Sequence, residues 1–383
     1  MSYCLNPYCP NPQNPDVALF CVTCGTKLLL KDRYRAIKPI GQGGFGRTFL
    51  AVDEDKPSKP PCVIKQFFPL VQGASNLQKA SELFNQEAVQ LDRLGQHPQI
   101  PDLLAYFILD DRQYLVQEFI DGQTLSQEIV QNGAFNETLV KQLLNDLLPI
   151  LQFVHSHQVI HRDIKPDNII RRKSDRKLLL VDFGASKTTS GTALQKTSTS
   201  IGSPEYVAPE QTKGRAVFAS DIYSLGVTCI YLLTGMSPFD LYDTNQDAWV
   251  WRQFLKNPVS NQMSRIIDKM LETAIDRRYQ SAAEVIKDLK VQAPPAAAAK
   301  PQAPANSAPV KLSTPIAPIN QVKSRIDDEL AELKSEFINP NPSYQNLPSL
   351  SQKPQTPNSN KAKSEIEREL EELRSQFQQN NQN

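Results

Sequence analysis

The sequence predicts an α+β protein in three parts, and three features carry that prediction. Strand-like and helix-like apolar patterns alternate through residues 34–291. Ahead of them, residues 1–30 hold Cys4, Cys9, Cys21 and Cys24 among Pro and Asn. Behind them, VQAPPAAAAKPQAPANSAPV opens a tail too poor in large apolar groups to fold alone. Hydrophobic residues make up 40% of the 383 residues, enough to fill a core, and the net charge of +1 gives no strong field for nucleic acid or acidic membranes. No apolar run reaches the ~20 residues of a membrane span, and the N-terminus lacks a signal-peptide pattern. The expected location is the cytoplasm.

The leader reads C-x4-C-x11-C-x2-C. Two close cysteine pairs can supply four thiolates to a tetrahedral Zn²⁺. So short a segment buries too little core to fold alone, and metal would supply the folding energy. Gly25, directly after Cys24, is expected at positive φ, turning backbone N–H groups toward the sulfurs. A redox-switched thiol pair and an unstructured leader compete with zinc. Cys62 and Cys229 stand alone in apolar stretches and read as small buried side chains.

The globular part opens with RYRAIKPIGQGGFGRTFLAVD, where Gly41, Gly43 and Gly46 form G-x-G-x-x-G. Both flanks are strand-like, so the loop is a hairpin that can fold over phosphates; a dinucleotide fingerprint would instead open a helix. CVIKQF places Lys65 on a strand, and SELFNQEAVQLDRL has Leu83, Phe84, Ala88, Leu91 and Leu94 on one helical face with Glu87 beside it. A strand lysine followed by a helix glutamate allows an ion pair that aims Lys65 at the α/β-phosphates of a nucleotide. In VIHRDIKPDNII, Asp163 can accept a hydroxyl proton, Lys165 can neutralise a γ-phosphate and Asn168 can ligate a metal. Asp182 follows fourteen residues after Asn168 in LLLVDFGAS. Together Asn168 and Asp182 make an oxygen-donor site suited to Mg²⁺.

GQGGFG, VIK, HRDIKPDN, DFG and APE (208–210), in that order, resemble the eukaryotic-type protein kinases. With the four-cysteine leader, the chain is similar to a group of cyanobacterial serine/threonine kinases carrying a short zinc-ribbon-like segment. The resemblance implies two lobes, a small one with a five-stranded antiparallel sheet and one key helix, and a larger helical one. ATP would lie between them, with Gly41, Gln42, Gly43, Gly44, Phe45 and Gly46 over its phosphates and Lys65 paired with Glu87. Ile40, Thr48 and Val63 would border the adenine, and the backbones of Glu118 and Ile120 would meet its edge, beside Gln117 as gatekeeper. Asn168 and Asp182 would hold Mg²⁺ or Mn²⁺, and Asp163 with Lys165 would serve the transfer. HRDIK, and GSPEYVAPE with Ser203 at its hydroxyl position, resemble kinases acting on serine and threonine.

By the same resemblance, Arg162 would meet a phosphate on the loop that carries TTSGTALQKTSTS, at Thr199 or Thr197. Asp221 would support the catalytic loop, and Glu210 would pair with Arg278. The competing reading is a pseudokinase scaffold, which a missing catalytic residue would have favoured. After a Pro/Ala-rich linker at 292–322, two similar segments at 323–337 and 363–377 repeat at a forty-residue offset around a linker at 338–362. Ile326, Leu330, Leu333 and Phe337 recur as Ile366, Leu370, Leu373 and Phe377, one helical stripe each. Protein substrates and a docking partner for these stripes are the expected partners; the competing reading of the stripes is two transient helices in a disordered tail.

Overall fold

Five amphipathic strands and one helix build the first lobe of the computed structural model, which describes residues 1–43, 46–69, 74–188 and 203–290. The strands are β1 (Tyr34–Gly43), β2 (Gly46–Asp53), β3 (Pro61–Phe67), β4 (Leu103–Leu109) and β5 (Arg112–Glu118), with α1 (Ala74–Leu94) between β3 and β4. They form an antiparallel sheet in the order β1-β2-β3-β5-β4. A sixth strand, Leu29–Leu30, comes from the end of the leader and pairs with Tyr34 and Arg35 at the β1 edge. The expected five-stranded sheet is therefore extended by the segment that precedes it.

Alternation along the strands gives the sheet two faces. Tyr34, Ala36, Phe49, Ala51, Cys62, Ile64, Tyr114 and Val116 are buried on one, in a cluster that also contains Leu5 of the leader. Cys62 is buried as expected. The other face carries Val63 and Lys65 and looks toward the cleft. The predicted face of α1 is all buried: Leu83, Phe84, Ala88, Leu91 and Leu94.

The second lobe is mainly helical. Its chief elements are α2 (Leu125–Asn132), α3 (Glu137–Ser156), α4 (Pro209–Thr212), α5 (Phe218–Thr234), α6 (Asn261–Met270) and α7 (Ala282–Lys290). Side chains satisfy the free amides where these helices begin: Thr124 and Gln127 form a capping box on α2, and Asn136 caps α3. Gly235, at φ 74°, ends α5. Val140, Leu144, Leu148 and Leu151 of α3 pack with Ile222, Leu225 and Cys229 of α5 in one core. Two short strands, β6 (Ile169–Arg172) and β7 (Leu178–Leu180), pair antiparallel on this lobe. No helix among the described residues is long and apolar enough to cross a membrane. The repeats at 323–337 and 363–377 lie outside the described residues, as do Gly44, Phe45, Thr197 and Thr199.

Candidate active site

The β6–β7 hairpin brings two distant loops together. Ile169 faces Leu180 across it, and the Val181 amide donates to the Asn168 carbonyl at 3.0 Å. Asn168 and Asp182 therefore sit at the same end of one hairpin. On the opposite wall, Lys65 lies between Glu87 of α1, with which it is in direct contact, and Asp182, 3.1 Å away. Burial opposes a charged lysine, but the carboxylates of Asp182 and Glu87 outweigh it and hold the ammonium protonated. In return the Lys65 ammonium holds the Asp182 carboxyl below its ordinary range.

The loop from Asp163 to Asn168 is a closed hydrogen-bond network. Asn168 Nδ2 donates to the carbonyl and to Oδ2 of Asp163, both at 2.9 Å, which directs its amide oxygen elsewhere. Lys165 Nζ is 2.9 Å from Asp163 Oδ2. Ser203 closes the network: its amide and hydroxyl donate to Asp163 Oδ1 at 3.0 and 3.1 Å, and Lys165 donates to its Oγ at 2.6 Å. Sequence reading noted the Ser203 hydroxyl and missed these bonds, because nothing in the spacing says that this loop returns to Asp163.

Two of the described residues with left-handed backbone lie here. Arg162 and Asp182 adopt left-handed φ of 71° and 67°, which costs a non-glycine residue about 1–3 kcal/mol. Asp221, fully buried, accepts from the amides of His161 at 2.9 Å and Arg162 at 2.8 Å and from His155 Nε2 at 2.8 Å. Burial would raise the Asp221 pKa, but the bond from His155 and the surrounding donors outweigh it and lower it. Gln211 Nε2 donates to the Arg162 carbonyl at 2.6 Å. The Arg162 guanidinium is buried, Nε has no hydrogen-bond partner, and no carboxylate pairs with it among the described residues. The His161 ring packs on Phe183 with centroids 4.7 Å apart.

The upper wall belongs to β1, β2, β3 and β5. Gly41, Thr48, Lys65 and Leu115 are successive cross-strand partners, and Val63 faces Gln117. A Cβ on Gly46 would stand 2.0 Å from the Gln66 carbonyl, so only glycine lets β2 approach β3 there. Ile40 stays half-exposed, whereas Ile120 and Gln117 are buried, and Gln117 Oε1 has no hydrogen-bond partner. The Glu118 amide donates to the Asp102 carbonyl at 2.9 Å. Below the cleft, Arg278 makes a two-pronged pair with Glu210 at 2.7 and 3.1 Å.

A second cluster lies in the leader. The Sγ atoms of Cys4, Cys9, Cys21 and Cys24 all fall within 4.8 Å of one another. Cys4–Cys24 and Cys9–Cys21 are each 3.6 Å apart, and all four thiols are free. The Thr26 hydroxyl, 3.2 Å from Cys24 Sγ, lowers that thiol to about 6. Gly25 has the expected positive φ of 74°, but its amide donates to the Cys21 carbonyl at 2.9 Å and not to a sulfur. The amides of Thr23 and Cys24 and the side chain of Asn14 bond to Cys21 instead.

Comparison with known proteins places these features. Residues 34–289 match the protein kinase domain family. Serine/threonine-protein kinase B of a Synechocystis strain is 45% identical over 302 residues, 76% of this chain and 52% of that protein. Serine/threonine-protein kinase C of the same organism is 45% identical over 68% of this chain and 50% of that protein. Serine/threonine-protein kinase PknA of a Nostoc strain is 42% identical over 69% of this chain and 48% of that protein. The chain thus spans about half the length of these curated relatives. Over residues 34–289, with a two-lobed fold and four clustered cysteines ahead of it, the chain belongs to the protein kinase domain family.

Proposed function

We propose that the chain is a serine/threonine protein kinase that transfers the γ-phosphoryl of ATP to protein hydroxyls. One observation carries this reading: Lys65, Asp182, Asn168 and Asp163 converge on one cleft, linked by the contacts Lys65–Asp182 and Asn168–Asp163. Residues 41–46 cover the phosphates, Lys65 with Glu87 holds the α/β-phosphates, and Ile40, Thr48 and Val63 border the adenine. Glu118 and Ile120 offer their backbone to its edge.

The donor set fits a hard cation. Asp182 is ionised and opens to the cleft, and the bonds that fix the Asn168 nitrogen leave its oxygen for a metal. Asn168 and Asp182 would hold Mg²⁺ or Mn²⁺ there, and the ion would supply positive charge beside the transferred phosphoryl. Asp163 receives the substrate hydroxyl and its proton, and Lys165 offsets charge beside it. The buried Arg162, with no carboxylate partner among the described residues, supports activation by phosphate on Thr199 or Thr197.

The cysteine cluster fits Zn²⁺. Four sulfurs about 2.3 Å from a zinc ion lie about 3.8 Å from each other in a tetrahedron, close to the 3.6 Å found for two pairs. Asn14 and Thr26 are the bonding partners that would orient the thiolates. A cytoplasmic location belongs to this proposal, as do protein substrates and a docking partner for the tail stripes.

The test is transfer of labelled phosphate from ATP and Mg²⁺ to a generic protein acceptor. The parent should label serine or threonine, and Asp163→Asn should lower the rate about 10²- to 10⁴-fold. An Asp163→Asn protein as active as its parent overturns the assignment.

A further inference from the structure

Gln66 is completely buried next to Lys65, yet the cleft makes no use of it. Strand alternation puts the two side chains on opposite faces of β3. Toward the cleft the cross-strand row is Gly41–Thr48–Lys65–Leu115; one residue along, on the leader side, it is Gln42–Arg47–Gln66–Tyr114. Gln66 Nε2 donates to the Leu5 carbonyl at 2.8 Å and to the Tyr114 hydroxyl at 3.1 Å. Its Oε1 accepts from Arg47 Nη2 at 3.1 Å, and that same nitrogen reaches the Leu5 carbonyl at 3.4 Å. A single backbone oxygen of the leader thus ties β2 to β3 beside the row that carries Lys65.

Arg47 makes this tie sensitive. No carboxylate pairs with it among the described residues, and it lies over the Phe49 and Phe68 rings at 5.4 Å each. Burial pushes its pKa down. A desolvated cation without a counter-charge depends on each acceptor it has, and the Leu5 carbonyl is one of two. Leader aromatics brace the same spot: Tyr3 packs on Phe49 and Tyr8 on Phe68, with centroids 5.6 and 6.1 Å apart.

We propose that the leader clamps the phosphate end of the cleft through Leu5, and that Gln66 and Arg47 are positioning residues for Lys65 and Thr48. The proposal rests on the kinase reading for what fills the cleft. Without the Leu5 oxygen, Gln66 keeps the Tyr114 hydroxyl and Arg47 keeps Gln66 Oε1, but both lose the acceptor they share, and the β2–β3 row that aims Lys65 loosens with it.

The test compares full-length Gln66→Met, Gln66→Glu and Arg35→Met. Gln66→Glu loses the donor to Leu5 but keeps an acceptor for Arg47, so it serves as the second variant should Gln66→Met not fold. Arg35 holds the far edge of the leader through Ser2 Oγ at 3.0 Å and the Ala18 carbonyl at 2.8 Å. It therefore reports loosening away from the clamp. Both Gln66 variants should raise the Kd for Mg²⁺–ATP about tenfold, the worth of one good hydrogen bond. They should also speed amide exchange in residues 46–49 and 64–67 of the nucleotide-free protein. Arg35→Met should lower the melting temperature and leave both readouts at the parental values. Parental Kd and exchange in Gln66→Glu overturn the clamp, as does an equal rise in Kd with Arg35→Met. If the parent transfers no phosphate but the exchange contrast holds, the clamp stands and the kinase reading falls.

Discussion

Asp163 shows how a single carboxylate is held by three residues that reach it from different distances along the chain. Lys165 and Asn168 are near neighbours whose spacing is visible in the motif, whereas Ser203 arrives from forty residues away. Removing its hydroxyl takes one acceptor from Lys165 and one donor from Asp163. Ser203→Ala is expected to lower kcat about fivefold, consistent with a net hydrogen-bond contribution near 1 kcal/mol. Ser203→Thr should restore the rate, since it keeps the oxygen; steady-state kinetics of the two variants decide the point. The grouping of Lys65, Glu87, Asp163, Asn168 and Asp182 was legible in the sequence because the phosphate and metal chemistry proposed for them admits few other residue types. The Ser203 contact was not, since a serine in a loop is compatible with many environments.

At the level of elements, the large lobe is pinned by a buried ion pair between α4 and the segment ahead of α7. Arg278 donates to both oxygens of Glu210 and to the carbonyls of Ala219, Glu272 and Thr273, and Ser220 donates to Glu210 at 2.6 Å. Burial would raise the Glu210 pKa, but Arg278 and Ser220 outweigh it and bring it below the ordinary value. A depressed folded pKa means the pair contributes fully above the unfolded carboxylate value of about 4.3. That contribution is lost as pH falls through the folded value. Arg278→Met is expected to cost about 3–5 kcal/mol at neutral pH, because it strands Glu210 in the interior. Its deficit relative to the parent should shrink below about pH 4; denaturant melts at several pH values measure it. The face of α1 followed directly from apolar spacing, whereas the sixth sheet strand, Leu29–Leu30, did not. Two residues carry no period, and their strand character comes from Tyr34 and Arg35 beside them.

For the molecule as a whole, the leader and the small lobe are one packed unit. Leu5 belongs to the same buried cluster as Phe49, Ile64 and Val116, and Arg35 and Arg47 reach back to leader carbonyls. Chelation is expected to release about one zinc ion per chain. It should remove exchange protection around Cys4, Cys21 and Leu28, which form their own small cluster. Because metal supplies much of the folding energy of so short a segment, protection in α3 and α5 should survive the same treatment. Metal analysis combined with hydrogen exchange checks both halves.

Reading residue types in order was enough to recognise the family and to single out the polar groups of the cleft and the four cysteines that cluster in the leader, because each chemistry proposed for them demands particular side-chain atoms at restricted spacings. Folding was needed to reveal which strands the leader touches, why Gln66 is buried and where Ser203 returns. The reason is physical: the clamp hinges on the carbonyl of Leu5, and every residue has a carbonyl. No pattern of side chains marks the one that two strands will share.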